Sequence, residues 1–406
     1  MGLSKGNRLV GQSGGPTAVI NGSLVGVIHE ALQQESIGEI YGMLHGIAGV
    51  LHEEFIDLRL ESPQTLELLR HTPASALGTV RYKVKDEDYE RLLEVFKIHD
   101  IRYFFYIGGN DSADTTHKVG QLAAHQGYEL YAIGVPKTVD NDLPITDHCP
   151  GYGSAARFVA SAVRNTGLDT IAMGDSGPLK LMEIMGRNAG WLAGAAVLAK
   201  ERPEDPPQLI YLPERGVSPE QIVEDVRHCY GELGYCVVAV SEGLKNEKGQ
   251  EISAGAGKVE VDAFGHQRKA GVVEYLAGLV REAIGETVRW DKPQYLQRSF
   301  GELISSVDRE EAYQVGRAAV RAAVAGQSDQ EVILIRLPGR EYAVETGLAP
   351  LSEIANVEHK VPAEYINAQG NGVTESFVEY ARPLIGGPLA PYARLAKNRV
   401  PKRIRR

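Results

Sequence analysis

The sequence predicts an α/β protein built from parallel βαβ units, and three observations carry that prediction. Short apolar runs alternate with helix-length amphipathic stretches along the whole 406-residue chain. Runs such as Ile101 to Ile107 are aromatic or apolar at most positions, as strands covered by helices on both faces require. No repeat of 20 to 50 residues is visible, which removes solenoid architectures. The length suggests two or three domain-sized units with ample core.

In chain order, the first candidate strand, Leu9-Val10, runs into Ser13-Gly14-Gly15, with Pro16 where a helix would begin. This geometry would aim free backbone N–H groups and a positive helix end at an anion. A plain tight turn accounts for the same residues equally well. An amphipathic stretch, Glu87 to Ile98, precedes the strand Ile101 to Ile107, which ends in Gly108-Gly109. Asn110, Asp111 and Ser112 then open a helix running to Gln126. Helix capping explains one such residue, but not three in succession after a Gly-Gly turn. Glycines at the carboxyl end of a strand lie where open α/β sheets place their ligands.

The next strand, Leu130 to Val135, is ended by Pro136. Lys137, Asp140 and Asp142 then crowd one cation and two carboxylates into six residues. Two close carboxylates can divide the work of general base and metal neighbour, with the lysine holding a phosphate. A solvated loop would carry the same charges without comment. Further candidate strands are Leu179 to Met185, Leu209 to Leu212, Tyr235 to Val240 and Val332 to Ile335, with a helix from Pro219 to Leu233. Pro203 to Pro207 forms a polar, proline-rich loop, and Pro401 to Arg406 a basic tail that reads as a solvated terminus.

Composition is that of an ordinary globular protein: 43% hydrophobic, 24% charged and 7% aromatic residues. The net charge of −10 argues against nucleic-acid binding, although local cations can still gather phosphates. Cys149, Cys229 and Cys236 lack metal-ligand spacing and read as reduced thiols. No run of 18 apolar residues predicts a membrane span, and the N-terminus has neither an apolar signal core nor a Ser or Thr at position 6. A cytoplasmic protein is expected.

Taken together and in order from residue 8 to about 300, these segments resemble the phosphofructokinase family, specifically its pyrophosphate-dependent branch. The resemblance implies two Rossmann-like three-layer αβα lobes with mostly parallel sheets and an active site between them. A donor lobe would comprise residues 1–152 with part of about 299–350. A sugar-phosphate lobe would comprise 153–298, with the C-terminal extension, about 351–406, packed on it. In the family loop Pro-x-Thr-x-Asp-Asn-Asp, Asp140 would take the proton from the sugar 1-hydroxyl, Thr138 would touch the transferring phosphoryl group, and Asp142 would support base and metal. Met185, Gly186 and Arg187 would face the acceptor, and Glu242 would bind sugar hydroxyls. Tyr295 and Arg298 match a motif that grips the 6-phosphate. Arg289 matches an arginine donated by a neighbouring subunit, which implies a homodimer or homotetramer. On the donor side the resemblance implies Gly14, Gly109, Arg81 and Lys137, with Asn110 and Asp111 as ligands of Mg²⁺.

The ATP-using relatives carry glycine at the positions of Asp111 and Lys137. A carboxylate at 111 would oppose a nucleotide α-phosphate, and the Lys137 ammonium offers charge to a compact donor. The expected reaction is therefore phosphoryl transfer between pyrophosphate and fructose 6-phosphate. An ATP-dependent enzyme, a broader acceptor range including sedoheptulose 7-phosphate, and a non-catalytic sugar-phosphate-binding subunit are the alternatives. Two departures stand out: Asn110 where the family usually has Asp, and Pro178 near the place of another intersubunit arginine, with Lys180 as a possible substitute. No catalytic constellation is evident after residue 301.

Overall fold

The computed structural model describes residues 5–34, 37–80, 82, 84–252, 260–261, 267–268 and 271–403. In chain order the strands are β1 Gly6–Gln12, β2 Ile37–Met43, β3 Phe55–Asp57, β4 Ile101–Gly108, β5 Tyr131–Pro136, β6 Leu179–Ile184, β7 Leu209–Tyr211 and β8 Cys236–Ser241. They continue with the two-residue β9 Glu260–Val261 and β10 Gln267–Arg268, then β11 Val288–Asp291, β12 Gln330–Arg336 and β13 Val344–Pro350.

Seven strands form one sheet in the order β13-β12-β5-β4-β1-β2-β3, parallel except for the edge strands β3 and β13. Alternation along β4 sorts its side chains between two cores. Tyr103, Phe105 and Ile107 pack against the helices Ile20–Ala31 and Ser306–Val324. Phe104 and Tyr106 pack on the other face with Leu92 and Phe96 of helix Asp86–Ile98 and Val119 of helix Asn110–His125. A strand buried on both faces has no polar side to show, which is why it reads as a continuous apolar run. The two helices on the first face approach backbone to backbone. A Cβ at Gly26 would strike the Tyr313 carbonyl, and one at Gly316 the Ser23 carbonyl.

The second sheet, β11-β6-β8-β7, is wholly parallel and also covered on both faces. Leu179 and Leu181 face the helices Pro219–Leu233 and Val272–Ile284, while Met182 and Ile184 face helix Tyr152–Met173 and Trp191. Helix Pro219–Leu233 has the start and stop that its sequence advertises. Ser218 accepts a hydrogen bond from the Gln221 N–H (3.1 Å), and Gly234 closes it in the left-handed conformation.

The region after 301 divides between the two lobes. Helix Ser306–Val324, β12 and β13 complete the first. Residues Leu351 and Ile354 join a small core with Ala113 and Leu143 of the first lobe. Val361, Phe377, Tyr380 and Leu384 belong to the core of the second.

Glu331 on β12 is a costly inward residue. It is 2% exposed, its Oε2 has no hydrogen-bond partner, and a Cβ at Gly134 of β5 would collide with its carboxylate. Burial pushes its pKa well above the usual carboxylate value. A carboxyl raised in the folded state contributes stability that is complete below its unfolded pKa and lost as pH rises through the folded one. Glu331→Gln should therefore raise Tm at pH 8 by about 1 °C per kcal/mol recovered, with a smaller gain at pH 5. Differential scanning at the two pH values reads this, and an equal or lower Tm at pH 8 would contradict it.

Candidate active site

In an open parallel sheet, ligands bind beyond the carboxyl ends of strands where the winding reverses. In the first sheet that point lies at β1, which has β2 on one side and β4 on the other. Three loops leave the neighbouring ends of β1, β4 and β5.

The β1 loop bends at Gly14-Gly15 and again at Ala18-Val19 rather than starting a helix at Pro16; the helix begins at Ile20. Side chains hold the loop open. Gln12 accepts from the Leu77 N–H (3.0 Å) and donates to Asn21 (2.9 Å), and the Thr79 hydroxyl donates to the Gly14 carbonyl (2.7 Å). Gly14 has φ +70°, a conformation glycine adopts at no steric cost. Lys137 Nζ, 4% exposed, donates to the Gly15 carbonyl at 2.9 Å. A Cβ at Gly15 would strike the Arg298 guanidinium, so two cations converge on this loop.

At the end of β4, Gly109 is the N-cap of helix Asn110–His125, and no side chain caps that helix. Asn110, Asp111 and Ser112 therefore occupy its first turn, and the capping explanation for them fails. A Cβ at Gly108 would collide with Ser112 Oγ. Asn110 Oδ1 is buried without a partner, whereas Asp111 is exposed. The loop after β5 passes alongside: the Lys137 N–H bonds to the Gly108 carbonyl (3.0 Å). Thr138 Oγ1 accepts from the Asp140 N–H (3.0 Å), fixing the turn from which the Asp140 and Asp142 carboxylates project.

The second lobe contributes the carboxyl ends of β6 and β8. Gly186 follows β6 with φ +123°, and its carbonyl accepts from Ser241 Oγ (2.5 Å). Arg187 is exposed, and its Nε lies 4.0 Å from a Glu242 carboxylate oxygen. A Cβ at Gly243 would collide with the Arg187 carbonyl, which explains the glycine after Glu242. The Met185 N–H donates to Gln297 (3.1 Å), a buried residue between Tyr295 and Arg298. The Arg298 guanidinium lies 4.6 Å from the Tyr295 ring centroid; Gln297 touches the loop after β6 and Arg298 the loop after β1.

Charges from both lobes meet at Asp140. Burial, then the Asp142 and Glu242 carboxylates, push its pKa up to about 7; Lys137 and Arg187 oppose the rise. Its Oδ1 is buried and unpartnered. Burial and the neighbouring Arg298 bring Lys137 down to about 8. Burial raises Asp142 and Glu242 as well. The cleft thus holds a carboxylate able to exchange a proton near neutrality, between cations suited to anionic oxygens. A cavity of about 770 Å³ elsewhere, lined by Arg336, Tyr342, Glu379 and Arg382 among others, holds none of the expected residues.

Of the residues singled out from sequence, Gly14, Gly109, Lys137, Thr138, Asp140, Asp142, Arg187, Glu242 and Arg298 surround this cleft, with Met185, Gly186 and Tyr295 in the adjoining loops. Arg81 lies outside the described residues. Arg289, on edge strand β11, spends its hydrogen bonds on Asp169 (2.7 Å) and Thr170 (3.2 Å) of its own chain. Lys180 is buried and paired with Asp291 (2.5 Å), so it does not stand free as an intersubunit cation. Gln12, Thr79 and Gln297, which hold the loops, carry no predicted role, although each lies within a few residues of one that does.

The phosphofructokinase family profile matches residues 7–323. A pyrophosphate–fructose 6-phosphate 1-phosphotransferase of Xanthomonas campestris is 45% identical, over 96% of this chain and 94% of the relative. The enzyme of the same name from Halomonas elongata is 42% identical over 99% of each. The crystal structure of a pyrophosphate-dependent phosphofructokinase from Nitrosospira multiformis superimposes with a TM-score of 0.86 at 41% identity, covering 99% of both chains. With its two-sheet architecture and with matches of this length, the chain belongs to the phosphofructokinase family.

Proposed function

We propose that this protein reversibly transfers a phosphoryl group from pyrophosphate to the 1-hydroxyl of fructose 6-phosphate, giving fructose 1,6-bisphosphate and phosphate. The observation that carries this reading is the Asp140 carboxylate, poised near neutrality with one buried oxygen unpartnered, between Lys137 and Arg187. The names of the full-length relatives support the donor and the acceptor.

In the forward direction, Asp140 takes the proton of the sugar 1-hydroxyl as that oxygen bonds to the terminal phosphorus. The bridging P–O bond breaks, its electron pair leaves with phosphate, and the proton passes on to that product or to solvent. The protein's contribution is positioning and charge neutralisation. Lys137 and the Gly14–Gly15 loop hold the donor, Thr138 contacts the transferring group, and Asp142 supports the base. Arg187, Glu242, Tyr295 and Arg298 hold the sugar phosphate. Residues 1–152 with part of about 299–350 form the donor lobe; 153–298 with most of the C-terminal extension form the acceptor lobe.

Membership of this family carries with it the expectation of Mg²⁺. The residues present fit an ion held chiefly by the substrate. Asn110 Oδ1 and the Asp111 carboxylate are hard oxygen donors, and no group of three acidic, histidine or cysteine side chains among the described residues is arranged to hold a metal alone. When bound, the ion would neutralise charge on the pyrophosphate oxygens. A cytoplasmic homodimer or homotetramer completes the reading, with Arg289 exchanging Asp169 for a neighbouring subunit's sugar phosphate. Among the described residues no helix is long and apolar enough to cross a membrane.

The deciding measurement is the initial rate of fructose 6-phosphate phosphorylation with pyrophosphate and with ATP at equal magnesium. Turnover with pyrophosphate and little with ATP is expected. Equal turnover would overturn the donor assignment, and parallel assays with sedoheptulose 7-phosphate define the acceptor range.

A further inference from the structure

The segment beyond residue 323 lies outside the family match, yet it grips the catalytic loop at two points. Asn141, between Asp140 and Asp142, has φ +56° and is 1% exposed. Both ends of its amide are committed: Nδ2 donates to the Tyr380 hydroxyl (2.8 Å), and Oδ1 accepts from the Cys149 N–H (2.8 Å). The Tyr380 hydroxyl donates onward to the Asp147 carbonyl (2.8 Å). On the far side of the turn, the His359 N–H donates to the Asp142 carbonyl (2.7 Å).

A non-glycine residue in the left-handed region persists only where its surroundings over-determine it. Tyr380 is well placed to supply that constraint. Its ring packs 5.1 Å from Trp191 and 5.7 Å from Tyr365, and the Arg336 guanidinium lies 4.8 Å from its centroid. Arg336 in turn bonds to Asp147 (3.0 Å) and to the Tyr380 carbonyl (3.1 Å). Among the described residues, no side chain hydrogen-bonds the Asp140 carboxylate itself. Its aim is therefore set by the backbone of the turn, through Thr138 on one side and Asn141 on the other.

We infer that Tyr380 is a positioning residue: its hydroxyl anchors Asn141 in the left-handed turn and thereby aims the Asp140 and Asp142 carboxylates into the cleft. The C-terminal extension thus forms part of the catalytic apparatus without touching a substrate. This rests on the assignment of Asp140 as the base, and the test separates the two.

Tyr380→Phe keeps the ring and removes the hydroxyl. It should lower kcat by about 10- to 100-fold per folded molecule, with KM for both substrates within twofold. Asn141→Gly keeps access to the left-handed turn but loses the anchor; it should show a similar loss, and adding Tyr380→Phe should cost nothing more. Tyr365→Phe, in the same aromatic cluster with no hydroxyl hydrogen bond among the described residues, should retain kcat within twofold. If Tyr380→Phe lowers Tm but leaves kcat unchanged, or if the losses of the double variant multiply, the inference is wrong. The assignment of the base stands or falls separately on Asp140→Ala.

Discussion

Asp140→Ala should lower kcat by about 10²–10⁴-fold while leaving KM for fructose 6-phosphate within a few fold. The loss is large because the carboxylate is the group in the cleft whose pKa burial and the neighbouring Asp142 and Glu242 raise to about 7. A base with a pKa near the working pH combines ionisation with useful basicity. Binding should change little, because Arg187, Glu242 and Arg298 remain. Asp140→Asn, which keeps the shape and removes the basicity, should fall as far as the alanine variant. The sign of the pH dependence follows: Asp140 must be ionised to accept the proton, so kcat/KM should decline as pH falls through about 7. That limb should vanish from the residual activity of Asp140→Asn. Retention of more than a tenth of the parental kcat by the alanine variant would remove Asp140 from the mechanism.

The proposed base is legible in the sequence, whereas what holds it is not. β4, β5, β6 and β8 are buried on both faces, so their unbroken apolar runs were visible without neighbours. β2, β11 and β13 were not: Ile37–Met43 mixes glycine and glutamate with its apolar residues, Val288–Asp291 is short and charged, and Val344–Pro350 is a largely exposed edge. The site shows the same division. Asp140, Asp142, Lys137 and Arg187 sit in short motifs where residue type and order carry the chemistry. Tyr380 and His359 reach the catalytic loop from more than 200 positions away, and their contacts depend on how the C-terminal segment folds across the second lobe. Local pattern contains no record of such long-range pairings. The helix begins at Ile20 rather than Pro16 for a related reason: Gln12, Thr79 and Lys137, from three separate segments, hold the intervening loop.

Lys137→Ala should cost about 10²–10³-fold in kcat/KM for pyrophosphate, the usual loss when one preorganised donor to a reacting oxyanion is removed. The effect on KM for fructose 6-phosphate should be small. Lys137 is almost fully buried after β5, fixed to the Gly15 carbonyl, and meets the loop after β1 together with Arg298. A buried ammonium in that position gains its partner when an anion arrives, so it acts on the donor rather than on stability. Burial and Arg298 bring its pKa to about 8, and the protonated form is the one that binds phosphate. Activity with pyrophosphate should therefore fall as pH rises through about 8. Together with the Asp140 limb, this confines kcat/KM to a narrow bell, and the alkaline side should move upward in Lys137→Arg, whose guanidinium stays charged. Asp111 bears on the same choice from the opposite sign. Its exposed carboxylate stands in the first turn of helix Asn110–His125, where the helix end would otherwise favour a further phosphate. Asp111→Gly should admit ATP, and Asp111→Gly with Lys137→Gly should reverse the ratio of the two donors' kcat/KM values. If the lysine variant keeps its pyrophosphate kcat/KM within tenfold, Lys137 is not the donor's charge partner. If Asp111→Gly leaves ATP turnover where it was, the carboxylate is not what excludes the nucleotide, and donor choice must lie in the shape of the cleft.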